Sequence, residues 1–497
     1  MEWSQLLSSS RMGGKIEESY KESEFKRSEF ERDYSRIVSS ASFRRLQDKT
    51  QVFPLDSSDF VRTRLTHSLE VASIAKELGK AVEYYLIENK LAEAEVASNI
   101  SDILMCAGLL HDIGNPPFGH FGETVIGDWY KKNGSKITFC EDTLETAFGK
   151  MSPKYQDLCN FEGNAQAFRL LSKLHFVDND CGMNLTNAVL NTIIKYPCSS
   201  TQKDKDHVDI KYHKMGYFQG DLKNFEKITT DTGTRHNDIV CRHPLTYLLE
   251  AADDIAYATA DLEDGYKKGI FTLDELIAFI EEQRKVYDCK MNDYQKKFTK
   301  ELFEKLGKYR EQIPENIQKN VKNRDLYAMQ NWIGYVRGWF VYCACFGFKQ
   351  KYNLIMAGNC QNEIMAETNH EFSLKILKDA MGKFIYPQPR ILKLELAADS
   401  IISTLLDKFV TAVRYYDYIC PEELDEEKKK QRMPGKGDEK IIKLLSDNYL
   451  ENYKLEVKDI SDEKEKLYHR LLLVNDFISG MTDTYAKSLY QELNGIY

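Results

Sequence analysis

A mainly α-helical protein is what this sequence predicts, and three observations carry that expectation. Long segments repeat apolar residues every three to four positions, they contain few internal Gly or Pro residues, and strand signals are sparse. In chain order the helical segments include Leu69–Lys90, Ala94–Leu110, Pro244–Lys267, Leu273–Leu306 and Leu394–Arg414, with Pro244 well placed to begin a helix. The stretch Asp204–Asp221 alternates polar and aromatic residues and is expected to form a short β-hairpin. Loops are expected at Lys131–Asp142, Pro197–Asp206 and Cys420–Lys440. The last contains Lys428, Lys429, Lys430, Arg432 and Lys436, and a solvated linker is its better reading. No internal repeat is evident.

Composition narrows the class. The 497 residues allow two or three domains, and 42% hydrophobic residues suffice for a substantial core. No apolar run reaches the roughly 18 residues of a membrane span. Met1–Arg27 is polar and charged, so no signal peptide is expected. The 11 cysteines form no CxxC pair and read as reduced, mostly buried thiols of a cytoplasmic protein. A net charge of −9 argues against a generally basic nucleic-acid surface. It leaves room for an anionic substrate, because a polyphosphate needs only a local cluster of cations. A G-x-x-x-x-G-K-[ST] phosphate loop is absent from the sequence, which excludes that mechanism.

The chemistry concentrates in His111-Asp112-Ile113-Gly114-Asn115-Pro116-Pro117-Phe118-Gly119-His120-Phe121-Gly122-Glu123. An adjacent imidazole and carboxylate are ligands that a divalent metal accepts, and a rigid Gly/Pro loop then delivers His120 and Glu123. Upstream, His67 opens a segment with Val71, Ile74, Ala75 and Leu78 at helical spacing. It reads either as a third ligand or as a hydrogen-bonded histidine on a half-buried face. Downstream, Asp253, Tyr257 and Asp261 share one helix face among small alanines. Carboxylates on such a face are costly to bury unless paired or metal-bound. A solvated acidic stripe is the alternative, and it suits Glu263 and Asp264 better than Asp253. For Glu123 the alternative is a favourable acid in a first helical turn, which leaves His120 without a purpose.

The order His67, His111-Asp112, Asp253 resembles the HD superfamily of metal-dependent phosphohydrolases. The chain is similar over nearly its full length to the bacterial dGTP triphosphohydrolases. The segments that carry this are Phe43–Pro54, Arg62–Ser68, His111–Glu123, Phe161–Gln166, Ile194–Pro197, Glu250–Asp264 and Ile478–Asp483. The resemblance implies an HD-domain helical core over residues 61–270. An N-terminal segment, 1–60, would contribute to the active site. Residues 271–497 would add helices for the nucleotide site and for oligomer contacts. His67, His111, Asp112 and Asp253 would hold Mg²⁺ or Mn²⁺, with Fe or Ni compatible, leaving octahedral positions for water and a phosphate oxygen. Asp253 is preferred to Asp254 because Asp253 alone shares the face of Tyr257 and Asp261.

His120 and Glu123 would handle the proton. Arg64, Asn164, Lys195, Tyr196, Lys214 and Tyr257 would hold the triphosphate, although Lys214 alone would be unremarkable. Gln51, Val52 and Asp261 would lie near the sugar, and Tyr386 with Glu395 at the base. Tyr386 stands where the family has phenylalanine, and Glu395 reads equally as a surface or buried-pair residue. The implied reaction converts dGTP and water to deoxyguanosine and tripolyphosphate by attack on the α-phosphorus. A homo-oligomer, a hexamer by resemblance, and single-stranded DNA as an effector are further expectations of the family. Competing readings are a broad dNTP triphosphohydrolase, a nucleoside monophosphatase, a guanosine tetraphosphate hydrolase and a non-enzymatic nucleic-acid scaffold.

Overall fold

Thr63 and Thr66 start the helix that carries the first site histidine. Each side chain accepts a hydrogen bond from the other's N–H, satisfying two donors that helix geometry leaves free. The helix runs Arg64–Glu88, five residues earlier than its apolar period alone suggests, and Val71, Ala75, Leu78, Val82 and Leu86 on it are fully buried. Each of the buried valines and leucines contributes about 1.5–3 kcal/mol. Helix-propensity differences among ordinary residues stay below about 1 kcal/mol, so packing decides this element.

The computed structural model describes residues 1–14, 27–53, 60–175, 181–314, 318, 323–420 and 423–496. Pro54, at the end of the Phe43–Pro54 segment, and residues 421–422 of the expected linker lie outside them. The described chain is mainly helical. At its centre Arg64–Glu88 packs along Ile100–Leu110, whose Ile103, Leu104, Ala107 and Leu110 are buried. The two backbones nearly touch, since a Cβ on Gly108 would lie 2.6 Å from the Ala72 Cα. Pro244–Lys267, with Pro244 in its first turn and the His243 side chain capping it, packs against both. A 33-residue helix, Arg324–Met356, and Glu371–Phe384 cover its outer side. Pro389–Val413 lies against Gly119–Asn133 and Glu463–Ser479. No helix of the described residues is long and apolar enough to cross a membrane, and all 11 cysteines are free.

Several local expectations change. The segment Asp204–Asp221 forms no hairpin; it carries one-turn 3-10 helices at Ile210–Tyr212 and Gln219–Asp221. Its aspartates bond the backbone two residues on, Asp204 from Asp206 N–H and Asp209 from Lys211 N–H, and these local bonds displace a ladder. The described residues hold two hairpins elsewhere. Thr138–Phe139 pairs with Asp142–Thr143 inside an expected loop, and Arg235–His236 pairs with Ile239–Val240. Cys140 and Asn237 adopt the left-handed conformations that their two-residue turns require.

The expected helix Leu273–Leu306 is two, Leu273–Tyr287 and Asp293–Glu311. Asn292 and Gln295 form a capping box that restarts it. Ala94–Leu110 likewise divides into Ala94–Ala97 and Ile100–Leu110. The basic run is not a plain linker, because it holds the short helices Glu426–Arg432 and Lys436–Ile442, the first capped by Asp425.

Candidate active site

His67 sits in the first turn of Arg64–Glu88, His111 and Asp112 follow directly on Ile100–Leu110, and Asp253 lies midway along Pro244–Lys267. The packing of these three helices brings the four side chains together. His67 Nε2 is 3.2 Å from Asp253 Oδ1, and His111 Nε2 is 3.5 Å from both Asp253 Oδ1 and Asp112 Oδ2. Octahedral bonds of about 2.0–2.2 Å would set adjacent ligand atoms about 3 Å apart, close to this spacing.

The donor set itself calls for a cation. The Gly108 carbonyl, 2.8 Å from His111 Nδ1, can only accept, so that nitrogen carries the proton. Burial lowers the pKa of His111 and favours the neutral ring, whose Nε2 then presents a lone pair to two carboxylates, buried and without a hydrogen-bond partner among the described residues. Lone pairs facing one another in a buried site repel unless a positive charge lies between them. Asn115, three residues on, donates from Nδ2 to Asp112 Oδ1 at 2.7 Å and fixes that carboxylate's orientation. Asn115 was not among the expected site residues, although its spacing from Asp112 was a readable signal.

Two cations already face the carboxylates. Arg64 pairs with Asp112, and Lys195 Nζ lies 2.9 Å from Asp253 Oδ2. Burial pushes the Asp112 carboxyl up, but Arg64 and His111 outweigh it and hold it below the ordinary range. Burial likewise opposes a charged Lys195, and Asp253 more than compensates.

Beside the cluster, His120 Nδ1 is 2.9 Å from Glu123 Oε2, one turn apart on the Gly119–Asn133 helix. Glu123 is buried, and its other oxygen accepts from the Gly163 N–H at 2.8 Å, while the His120 side chain is 71% exposed. Burial would raise Glu123, yet His120 and Lys214 bring it down to about 2. The negative charge of Glu123 in turn raises His120 above 6.5. Were His120 to serve as a proton acceptor it would act as the neutral imidazole, and turnover would then be expected to rise with pH through a value above 6.5. Glu123→Gln should move that limb to lower pH by removing the charge that stabilises the imidazolium. A kcat/KM–pH profile in which the variant's acid limb stays in place would refute the pairing.

A cleft of about 200 Å³ beside His120 is lined by Asn164, Lys195, Tyr196 and Lys214. It shares Asp112, His120, Asp253 and Asp254 with a larger cavity of about 480 Å³, lined also by Gln51, Val52, Arg64, Tyr257, Asp261, Tyr386 and Glu395. Every residue singled out from the sequence thus lies in the cluster, behind His120, or along these two walls. Lys214 pairs with Glu162 at 3.1 Å, and the Tyr257 and Tyr386 hydroxyls bond each other across the larger cavity. Burial lifts Asp261 to about 7.

Asp254 turns away from the cluster to Lys378 at 2.7 Å, which agrees with the helix phase. Glu263 and Asp264 are a correction. They are buried, not a solvated stripe, because Arg62 lies between them and Glu70. Their partner is some 200 residues away in sequence, out of reach of local patterning.

A helical core that sets two histidines and two aspartates around one point defines an HD-class metal-dependent phosphohydrolase, and the HD domain family matches residues 64–154. A deoxyguanosinetriphosphate triphosphohydrolase-like protein of Listeria innocua is 44% identical over the whole of both chains. One of the same name from Synechocystis sp. is 33% identical, again over the whole of both. The deoxyguanosinetriphosphate triphosphohydrolase of Klebsiella pneumoniae is 32% identical over 94% of each chain. The chain belongs to the deoxyguanosinetriphosphate triphosphohydrolase-like family.

Proposed function

We propose that this enzyme hydrolyses dGTP to deoxyguanosine and inorganic tripolyphosphate. The observation that carries the reading is the meeting of a proton-accepting His120–Glu123 pair, a cation-lined cleft and the His/Asp cluster at one point. His67, His111, Asp112 and Asp253 would hold a divalent cation, Mg²⁺ or Mn²⁺ with Fe or Ni compatible. Bound there, it would supply Lewis acidity toward a phosphate oxygen.

The chain's own residues do the rest. His120, oriented by Glu123, accepts the proton of the water that attacks the α-phosphorus. Lys195, Lys214, Arg64, Tyr196, Tyr257 and Asn164 offer donors to the phosphate oxygens where charge develops. Gln51, Val52 and Asp261 bound the sugar, and Tyr386 and Glu395 face the base. Residues 61–270 act as the catalytic core in this reading, with 1–60 and 271–497 supplying the nucleoside side and oligomer contacts. A homo-oligomer, hexameric by resemblance, and a single-stranded DNA effector belong to the same family reading.

Substrate choice tests it. Glu395 can accept from guanine's N1–H and amino group, and a site built for those donors leaves buried groups unpaired with another base. With all four dNTPs and GTP, assayed separately in Mg²⁺ and Mn²⁺, dGTP should be fastest and GTP slowest, with tripolyphosphate as the inorganic product. Glu395→Ala should narrow the dGTP advantage. Orthophosphate as product would defeat the proposal. Equal rates on all four dNTPs would replace it with a broad dNTP triphosphohydrolase.

A further inference from the structure

Between the nucleoside wall and the His120 loop lies a carboxylate that none of the roles above uses. Asp483 opens the helix Asp483–Leu493, is 1% exposed, and sends its two oxygens in different directions. Oδ2 accepts from the Thr50 N–H at 3.0 Å and from the Thr50 hydroxyl. Oδ1 accepts from the Phe118 N–H at 2.9 Å. Thr50 directly precedes Gln51 and Val52, and Phe118 directly precedes Gly119 and His120. All six of these residues line the larger cavity.

Phe118 has a φ of +63°, a left-handed conformation that a bulky side chain keeps only when its surroundings enforce it. The bond to Asp483 is one such restraint. Lys49, also buried, adds a second tie from the same segment. Its ammonium donates to the Asn115 carbonyl at 2.6 Å and the Ser479 carbonyl at 2.8 Å. The turn joining the helices that end at Ser479 and begin at Asp483 therefore grips the Lys49–Thr50 segment and the loop following Asp112 at once.

We propose that Asp483 is a positioning residue for substrate selection. It sets the gap between the Thr50–Val52 segment and the loop bearing His120, and so the room left for the sugar's 2′ position. This rests on the nucleotide reading given above. An ionised carboxylate suits the task because it only accepts, and all three of its partners here donate. An amide would turn an NH₂ group toward one of those donors and release one side of the grip. Fold maintenance alone would predict slower turnover of every nucleotide alike. Positioning predicts a change in their ratio.

The test compares kcat and KM for dGTP and GTP in wild type, Asp483→Asn and Thr50→Val, with metal content measured in each. Asp483→Asn should keep its metal, lose about 10–10²-fold in kcat for dGTP, and lower the dGTP-to-GTP ratio of kcat/KM by about tenfold. Thr50→Val removes one of the three donors and should shift the ratio the same way by less. It also carries the test if Asp483→Asn does not fold. An unchanged ratio in a folded variant overturns the inference, as does a wild type indifferent to the 2′-hydroxyl. Product analysis of the wild type is read separately. Absence of tripolyphosphate defeats the proposed reaction, while the ratio is still scored on whichever phosphate bond is cleaved.

Discussion

Alanine in place of His111 is expected to strip the divalent cation from the protein and to abolish turnover. The imidazole is fully buried, its Nδ1 is committed to the Gly108 carbonyl, and its Nε2 sits 3.5 Å from two carboxylates. Truncation removes one of four convergent side chains and leaves Asp112 and Asp253 beside a void that water fills without their geometry. Asp112→Ala should do the same by another route, since it also deprives Arg64 and Asn115 of their partner. Lewis-acid stabilisation worth several kcal/mol corresponds to a loss on the order of 10³-fold or more. Elemental analysis of the purified variants beside turnover decides it. Full occupancy with normal activity in His111→Ala would reject the cluster as the metal site.

His120→Ala should behave differently. The side chain is largely exposed and its bond is to Glu123, outside the His/Asp cluster, so both metal content and nucleotide affinity should survive. Turnover should fall by about 10²–10⁴-fold, the usual contribution of a positioned general base. Single-turnover kinetics beside equilibrium nucleotide binding separate the two effects. A variant with near-normal turnover would reassign the proton to Glu123 or to solvent.

How far the sequence anticipates this arrangement depends on the reach of each contact. His111, Asp112, His120 and Glu123 fall within one short segment, and helix phase separates Asp253 from Asp254 in the sequence itself. The Arg62 cluster shows the opposite case. Glu263 and Asp264 follow a local acidic pattern that fits water as well as it fits a guanidinium 200 residues upstream. Asp483 is further still, 433 residues from Thr50; the Ile478–Asp483 segment is recognisable by resemblance, but nothing local shows that this carboxylate bonds Thr50 and Phe118 behind the cavity wall. The Asp204–Asp221 stretch fails for a different reason. Its alternation is real, but its aspartates satisfy backbone donors locally and leave none of the pairing a ladder needs.

Gly108 joins two of these threads. Its missing side chain lets the Arg64–Glu88 and Ile100–Leu110 helices meet at Ala72, and its carbonyl is the group that fixes the proton on His111. The protonation of His111 is thus inherited from how tightly two helices pack. Any residue with a Cβ here would wedge the helices apart and tilt that carbonyl in the same motion. Interior architecture and reactivity are written into one position, and neither can drift without the other.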